Sequence, residues 1–129
     1  MALEYEFRGA ADVDTKQLVS LIADVVNGDV VDDDHVQIDG LLITAWREPP
    51  ESDVTQRMFG FSELVTILFR FANLASETLR NHNEAIMVRT VLRFLDRYPG
   101  PGVLLFNFEE VVLQRLHDGL VVVLSLIHI

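Results

Sequence analysis

The run Asp32-Asp33-Asp34-His35 is the one cluster in the sequence with the composition of a metal or acid–base site. Carboxylates beside an imidazole supply hard and borderline ligands for a divalent cation. A stable site also needs ligands from separate elements, and His82 and His117 stand alone, with no second histidine at i+4. We therefore predict no metal site. We expect the run to form either a solvated loop or an acidic surface that faces a partner.

Other patterns of catalytic residues are missing or weak. The sequence has no cysteine, and no serine lies in the Gly-x-Ser-x-Gly setting that exposes a nucleophile. No glycine-rich phosphate loop joins a strand to a helix. Glu109-Glu110 has the composition of a glycosidase pair, but adjacent residues in a hairpin point to opposite faces. We predict no catalytic residue, no enzymatic activity and no cofactor.

Negative charge is concentrated in the first half of the chain. The protein has 129 residues, with 10 Lys and Arg against 20 Asp and Glu, and a net charge of -10. Residues 1–64 contain 14 acids and 4 bases, whereas the remainder contains 6 of each. Eight of the acids lie within residues 29–53, where Arg47 is the one base. Such a surface repels nucleic acid and anionic lipid and attracts a basic protein, although solubility alone also explains acidic runs.

Hydrophobic periodicity divides the chain into strands and two helices. Asp14 is the predicted N-cap of the first helix, which has one apolar stripe and ends at Asn27-Gly28. Residues 76–97 are predicted as the second helix. Alternation of apolar and polar residues predicts strands at 2–8, 36–38, 41–46, 64–71, 103–106 and 111–116. A further strand is predicted to begin at residue 30 and to end at an acidic loop, 32–34. A last apolar run lies at 120–123. Asp39-Gly40 is a predicted hairpin turn, and residues 48–53 form a proline-broken loop.

These elements predict a single domain over residues 1–123. A composition of 50% apolar and 23% charged residues is typical of one globular domain whose core needs no disulfide. The element order predicts an α+β fold, with two helices on one face of a mainly antiparallel sheet, in a ferredoxin-like βαββαββ pattern with an added hairpin. The N-terminus is acidic, and the apolar stretch at 120–129 is too short to span a bilayer. We therefore expect a cytoplasmic protein with no membrane span.

The last six residues, 124–129, are predicted to be foreign to the natural sequence. Leu-Ser-Leu-Ile-His-Ile is the translation, in one frame, of the mosaic-end adapter used in transposon-based sequencing libraries. We expect the natural sequence to diverge near Val123, so that its own C-terminus is missing here. The alternative is a genuine apolar strand at the end of the chain.

Six segments form a recognisable framework: MALEYEF at 1–7, GLLITAW at 40–46, FGF at 59–61, VTILFRF at 65–71, FLDRYPG at 94–100 and VLLFN at 103–107. In these segments the sequence resembles the Sit-type immunity proteins, small bacterial proteins paired with toxins of the contact-dependent, swarming-inhibition type. The resemblance covers nearly all of residues 1–123, although those proteins continue past the last hairpin and usually have Asn-Gly where this chain has Asn107-Phe108. It implies a non-enzymatic inhibitor that binds a cognate toxin encoded by an adjacent gene.

The acidic segment and the resemblance agree on a binding surface. Complementary charge between an acidic inhibitor and a basic toxin speeds association. We predict that residues 29–53 form this surface, with the partner-binding residues Asp32, Asp33, Asp34, Trp46, Glu48, Glu51 and Asp53. Trp46 is either an interface anchor or a core residue. Two alternatives are a metal-dependent enzyme at 32–35 and a structural or dimerising α+β domain with no toxin partner.

Overall fold

The structure, a computed structural model, describes residues 3–47, 54–73, 76–116, 119 and 121–123. Within these ranges the chain forms eight strands and three helices. The strands are β1 (Leu3–Gly9), β2 (Asp29–Asp32), β3 (His35–Ile38), β4 (Leu41–Arg47), β5 (Val65–Phe71), β6 (Gly102–Phe106), β7 (Glu110–Arg115) and β8 (Val121–Val123), and the helices are α1 (Thr15–Val26), α2 (Val54–Phe59) and α3 (Glu77–Arg97). The predicted loop at 48–53 and the predicted foreign tail at 124–129 lie outside the described residues.

All eight strands belong to one antiparallel sheet, in the order β2-β3-β4-β5-β1-β6-β7-β8. β1 lies inside the sheet and pairs with β5 along its whole length, from Leu3 opposite Phe71 to Gly9 opposite Val65. On its other side β1 pairs with β6. Within the described part of the chain, β2 and β8 are the outermost strands.

The predicted α+β class and antiparallel sheet are confirmed, but the chain has more elements than βαββαββ. The β2–β3 hairpin extends one side of the sheet, and β7 and β8 extend the other. A short helix, α2, precedes β5 where no helix was predicted. The ferredoxin-like pattern is therefore not confirmed as a description of the whole fold.

Local signals in the sequence account for α1. The Oδ1 atom of Asp14 accepts a hydrogen bond from the Gln17 N–H at 2.9 Å, which satisfies one of the free backbone donors at the helix start. Asn27 ends the helix with a left-handed backbone, at φ 53°. Leu18 and Ile22, one turn apart, are fully buried. The predicted cap, stripe and end of this helix are all confirmed.

Both long helices cover one face of the sheet and bury its aromatic core. α1 and α3 pack against each other, and α3 begins where the Ser76 Oγ atom accepts a hydrogen bond from the Leu79 N–H at 3.1 Å. The ring of Phe94 meets the ring of Phe7 edge-on, with 5.2 Å between the centroids. The core on this face is contributed by alternate residues of the central strands, including Tyr5, Phe7, Leu41, Ile43, Val65, Ile67, Phe69, Phe71 and Leu104.

The opposite face of the sheet carries a buried polar cluster beneath α2. The Arg8 guanidinium donates hydrogen bonds to Glu6 Oε1 at 3.0 Å and to Thr55 Oγ1 at 3.1 Å. Glu63 accepts from Thr55 at 2.9 Å and from Thr66 at 3.2 Å. Since Thr55 belongs to α2, these contacts attach the helix to the sheet.

Candidate functional site

The acidic run forms the tip of the β2–β3 hairpin, at one end of the sheet. Asp32 pairs with His35, so Asp33 and Asp34 are the two turn residues. The Asp34 N–H donates to the Asp32 carboxylate at 3.2 Å, which closes the turn locally. The Asp34 carbonyl accepts a hydrogen bond from the Ala45 N–H at 2.9 Å and so fixes the tip against β4. We call Asp32, Asp33, Asp34 and His35 the acidic tip.

His35 lies between two of the carboxylates of the acidic tip. Its Nδ1 atom is 2.6 Å from Oδ1 of Asp32 and 2.6 Å from Oδ1 of Asp34. The hydrogen bond to Asp32 raises the pKa of His35 above its ordinary value of 6.5, and the same bond lowers the pKa of Asp32. When the imidazole is protonated, its charge offsets one of the three carboxylates and leaves the tip acidic.

Asp32, Asp34 and His35 each offer one ligand atom, and these atoms lie within 4.8 Å of one another. All three belong to one hairpin, and within the described part of the chain no ligand from a second element joins them. Metal sites in proteins normally have four or more ligands. The arrangement is explained by the ion pairs with His35, and the absence of a metal site stays a prediction.

An open cleft of about 710 Å³ lies between α1 and β2, next to the acidic tip. Its apolar part is formed by Val19 and Ala23 of α1 and by Val30 of β2. Val30 is 56% exposed. The cleft thus presents apolar surface to solvent at the edge of the sheet.

Charged side chains surround the apolar part of this cleft. Asp32 and Asp33 approach it from the acidic tip, and Asp24 and Lys16 approach it from α1. Sequence reasoning did not include Asp24 in the site. The available signal was helical spacing, because Lys16, Ser20 and Asp24 are four residues apart and share one side of α1.

Trp46, the predicted anchor, is half-buried and lies on the sheet face opposite α1 and α3. It stands opposite Thr66 of β5, above the polar cluster. Its neighbour Arg47 binds Asp12 through Nε, at 2.7 Å from Oδ1. The structure therefore places Trp46 near the acidic tip along β4 but turned away from the α1–β2 cleft.

The remaining predicted site residues, Glu48, Glu51 and Asp53, lie outside the described residues. The four that are described do not form one continuous patch. Asp32 and Asp33 face the cleft, Asp34 contacts His35, and Trp46 lies on the opposite side of the sheet. The site that the geometry supports is thus the acidic tip together with the α1–β2 cleft.

The described residues form a small α+β protein in which the acidic tip and the α1–β2 cleft lie side by side at one end of the sheet. None of the described helices has both the length and the apolar character needed to cross a bilayer. A family model described as SitI3-like matches residues 3–124. The chain therefore belongs to the SitI3-like family, in agreement with its resemblance to Sit-type immunity proteins. No curated protein and no solved structure matches the chain.

Proposed function

We propose that this protein is an immunity protein of the cytoplasm, which binds a cognate toxin and neutralises it without catalysis. Membership of the SitI3-like family carries the proposal, because the Sit-type immunity proteins that the sequence resembles are inhibitors paired with toxins. The toxin is expected to be the product of an adjacent gene. Its binding surface for this protein is expected to be basic.

The acidic tip is the proposed centre of the contact. Asp32 and Asp33 are exposed at the end of the sheet, where a large partner has free access. Asp24 adds a further carboxylate from α1, so the negative charge comes from two elements of the fold. A compact negative surface accelerates encounter with a cationic partner and orients it before close contact. Trp46, Glu48, Glu51 and Asp53 are proposed as a second part of the contact, separate from the acidic tip, with Trp46 on the opposite face of the sheet.

Co-expression in a bacterium tests the function. The protein is produced together with the product of the adjacent gene, and survival and co-purification are measured. Rescue with a stable complex is the expected result. A toxic neighbour that is neither bound nor neutralised would contradict the proposal.

A charge-reversed variant tests the surface. Asp32→Lys, Asp33→Lys and Asp34→Lys together are expected to weaken toxin binding by about 1,000-fold or more at low salt, because three close charge pairs each contribute on the order of 1.5 kcal/mol or more. The effect is expected to shrink at high salt. The matched control reverses three exposed acids outside residues 29–53, Glu77, Asp96 and Glu109. Equal losses in both variants would show that overall charge, and not the acidic tip, determines binding.

A structural or dimerising role is the second candidate, and β8 favours it, because β8 is the outermost strand on its side of the sheet within the described residues. Its three residues are exposed. Unpaired strand edges pair readily with other chains. Sedimentation of the isolated protein distinguishes the two functions. A dimer that does not bind the product of the neighbouring gene would favour the structural role.

A further inference from the structure

We propose that the α1–β2 cleft is the docking groove for a basic segment of the toxin, which inserts one apolar side chain between Val19, Ala23 and Val30. The inference rests on the proposed function and names the part of the partner that the site accepts. The segment carries Lys or Arg on both sides of its apolar residue. These cations contact Asp24, Asp32 and Asp33 at the rim.

The composition of the cleft determines the apolar part of the occupant. Val19 and Ala23 are one helical turn apart on α1, and Val30 faces them from β2. Val30 lies opposite the buried Val36, so it points to the helix-covered face of the sheet. At about 710 Å³ the cleft has room for a large aliphatic side chain and the backbone on either side of it. Burial of an aliphatic side chain in the cleft would remove its apolar surface from water, which stabilises the complex.

The charges around the cleft determine the rest of the occupant. Among the described residues, three carboxylates, from Asp24, Asp32 and Asp33, surround the apolar surface, and Lys16 is the one base of the lining. An anionic segment would be repelled by these carboxylates, and a neutral segment would cover them without supplying an opposite charge. Both situations are unfavourable. A cationic segment matches them. The cleft therefore selects for an apolar residue with basic neighbours.

A second copy of this chain is a poor occupant of the same groove. Its β2 edge would bring Asp29 and Asp32 next to the same residues of the first copy, and like charges across strands are destabilising. The register of β2 also shifts between Val30 and Asp32, and a bulge of this kind disfavours continuous edge pairing. The acidic edge thus discourages self-association while it attracts a basic partner.

Filling the cleft tests this inference without any change of charge. Ala23→Leu places an aliphatic side chain in the groove, and Ser20→Leu does the same from an exposed helix position that lines it. Gln17→Leu is the matched control, since Gln17 is exposed on α1 but does not line this cleft. Binding to the purified product of the adjacent gene is measured by calorimetry, and circular dichroism verifies the fold of each variant.

We expect both filled variants to bind the toxin about tenfold more weakly or worse, because the toxin's apolar side chain can no longer be buried. The control is expected to bind like the wild type, and Asp24→Lys is expected to weaken binding as well. If folded Ala23→Leu or Ser20→Leu binds normally while reversal of the acidic tip still abolishes binding, the groove is excluded and the proposed function stands. If the wild type does not bind the gene product, both proposals are refuted.

Discussion

Glu63 connects the short helix α2 to the sheet, and its removal is expected to be costly. The side chain is 6% exposed and accepts hydrogen bonds from Thr55 and Thr66, both fully buried. Its Oε2 atom also lies 3.6 Å from Nε of Arg8. In Glu63→Ala, both threonines lose this acceptor, while Arg8 keeps its hydrogen bond to Glu6. Each buried donor left without its acceptor costs about 1–3 kcal/mol.

The total loss for Glu63→Ala is therefore expected to be about 3–5 kcal/mol of unfolding free energy. For a domain of this length it lowers the thermal midpoint by about 10 °C or more. Urea unfolding followed by circular dichroism measures the free energy directly. Glu63→Gln keeps one carbonyl acceptor and is expected to lose roughly half as much.

Exposed Glu109→Ala is the control, with an expected change within about 0.5 kcal/mol. If Glu63→Ala lost less than about 1 kcal/mol, the threonines would not depend on this carboxylate. The attachment of α2 by the polar cluster would then be refuted.

Two further predictions concern α1 and the acidic tip. Asp14→Ala is expected to lower the unfolding free energy by about 1 kcal/mol, since it removes the acceptor for the Gln17 N–H. Asp14→Asn keeps an acceptor and is expected to change the unfolding free energy little. Equal losses for the two variants in chemical denaturation would contradict the role of Asp14 as the helix cap. In a titration followed by nuclear magnetic resonance, the pKa of His35 is expected above 6.5, and Asp32→Asn is expected to lower it. The contribution of His35 to stability is then present below pH 6.5 and is lost as the pH rises through its raised pKa. The contribution of Asp32 to stability is present above pH 3.8 and is lost as the pH falls through its lowered pKa. If the pKa of His35 were unchanged in Asp32→Asn, the pairing of the two side chains would be refuted.

The elements with strong local signals were predictable from the sequence. Asp14 and Asn27 mark the ends of α1 because each satisfies helix-terminal groups within its own turn. Alternation of side chains predicted β1 and β5, since apolar residues occupy one face of each strand and mostly polar residues occupy the other. The two-residue turn at Asp39-Gly40 was predictable because such a turn needs a residue that tolerates a left-handed backbone, as glycine does. Gly40 adopts this backbone, at φ +77°.

The elements that depend on distant contacts were not predictable. α2 has six residues, too few for helix formation by propensity alone, and Thr55 holds it through Arg8, which lies 47 positions earlier. The cleft was missed for the same reason, because Asp24 and Asp33 meet only when α1 packs beside β2. Trp46 was expected near the acidic loop, but the direction of its side chain depends on the register of β4 with β5.

The position of β1 inside the sheet has a consequence for synthesis of the protein. The strand is translated first, yet its partners β5 and β6 begin at residues 65 and 102. Until those residues have left the ribosome, β1 lacks the strands that pair with its two edges. Pairings so distant in sequence form slowly, because the intervening chain must be closed into a loop. The local strands β2, β3 and β4 can pair once residue 47 has emerged, but β1 cannot take its place inside the sheet until β6 has been made. Partial chains that end before β6 therefore lack one of the two strands that flank β1.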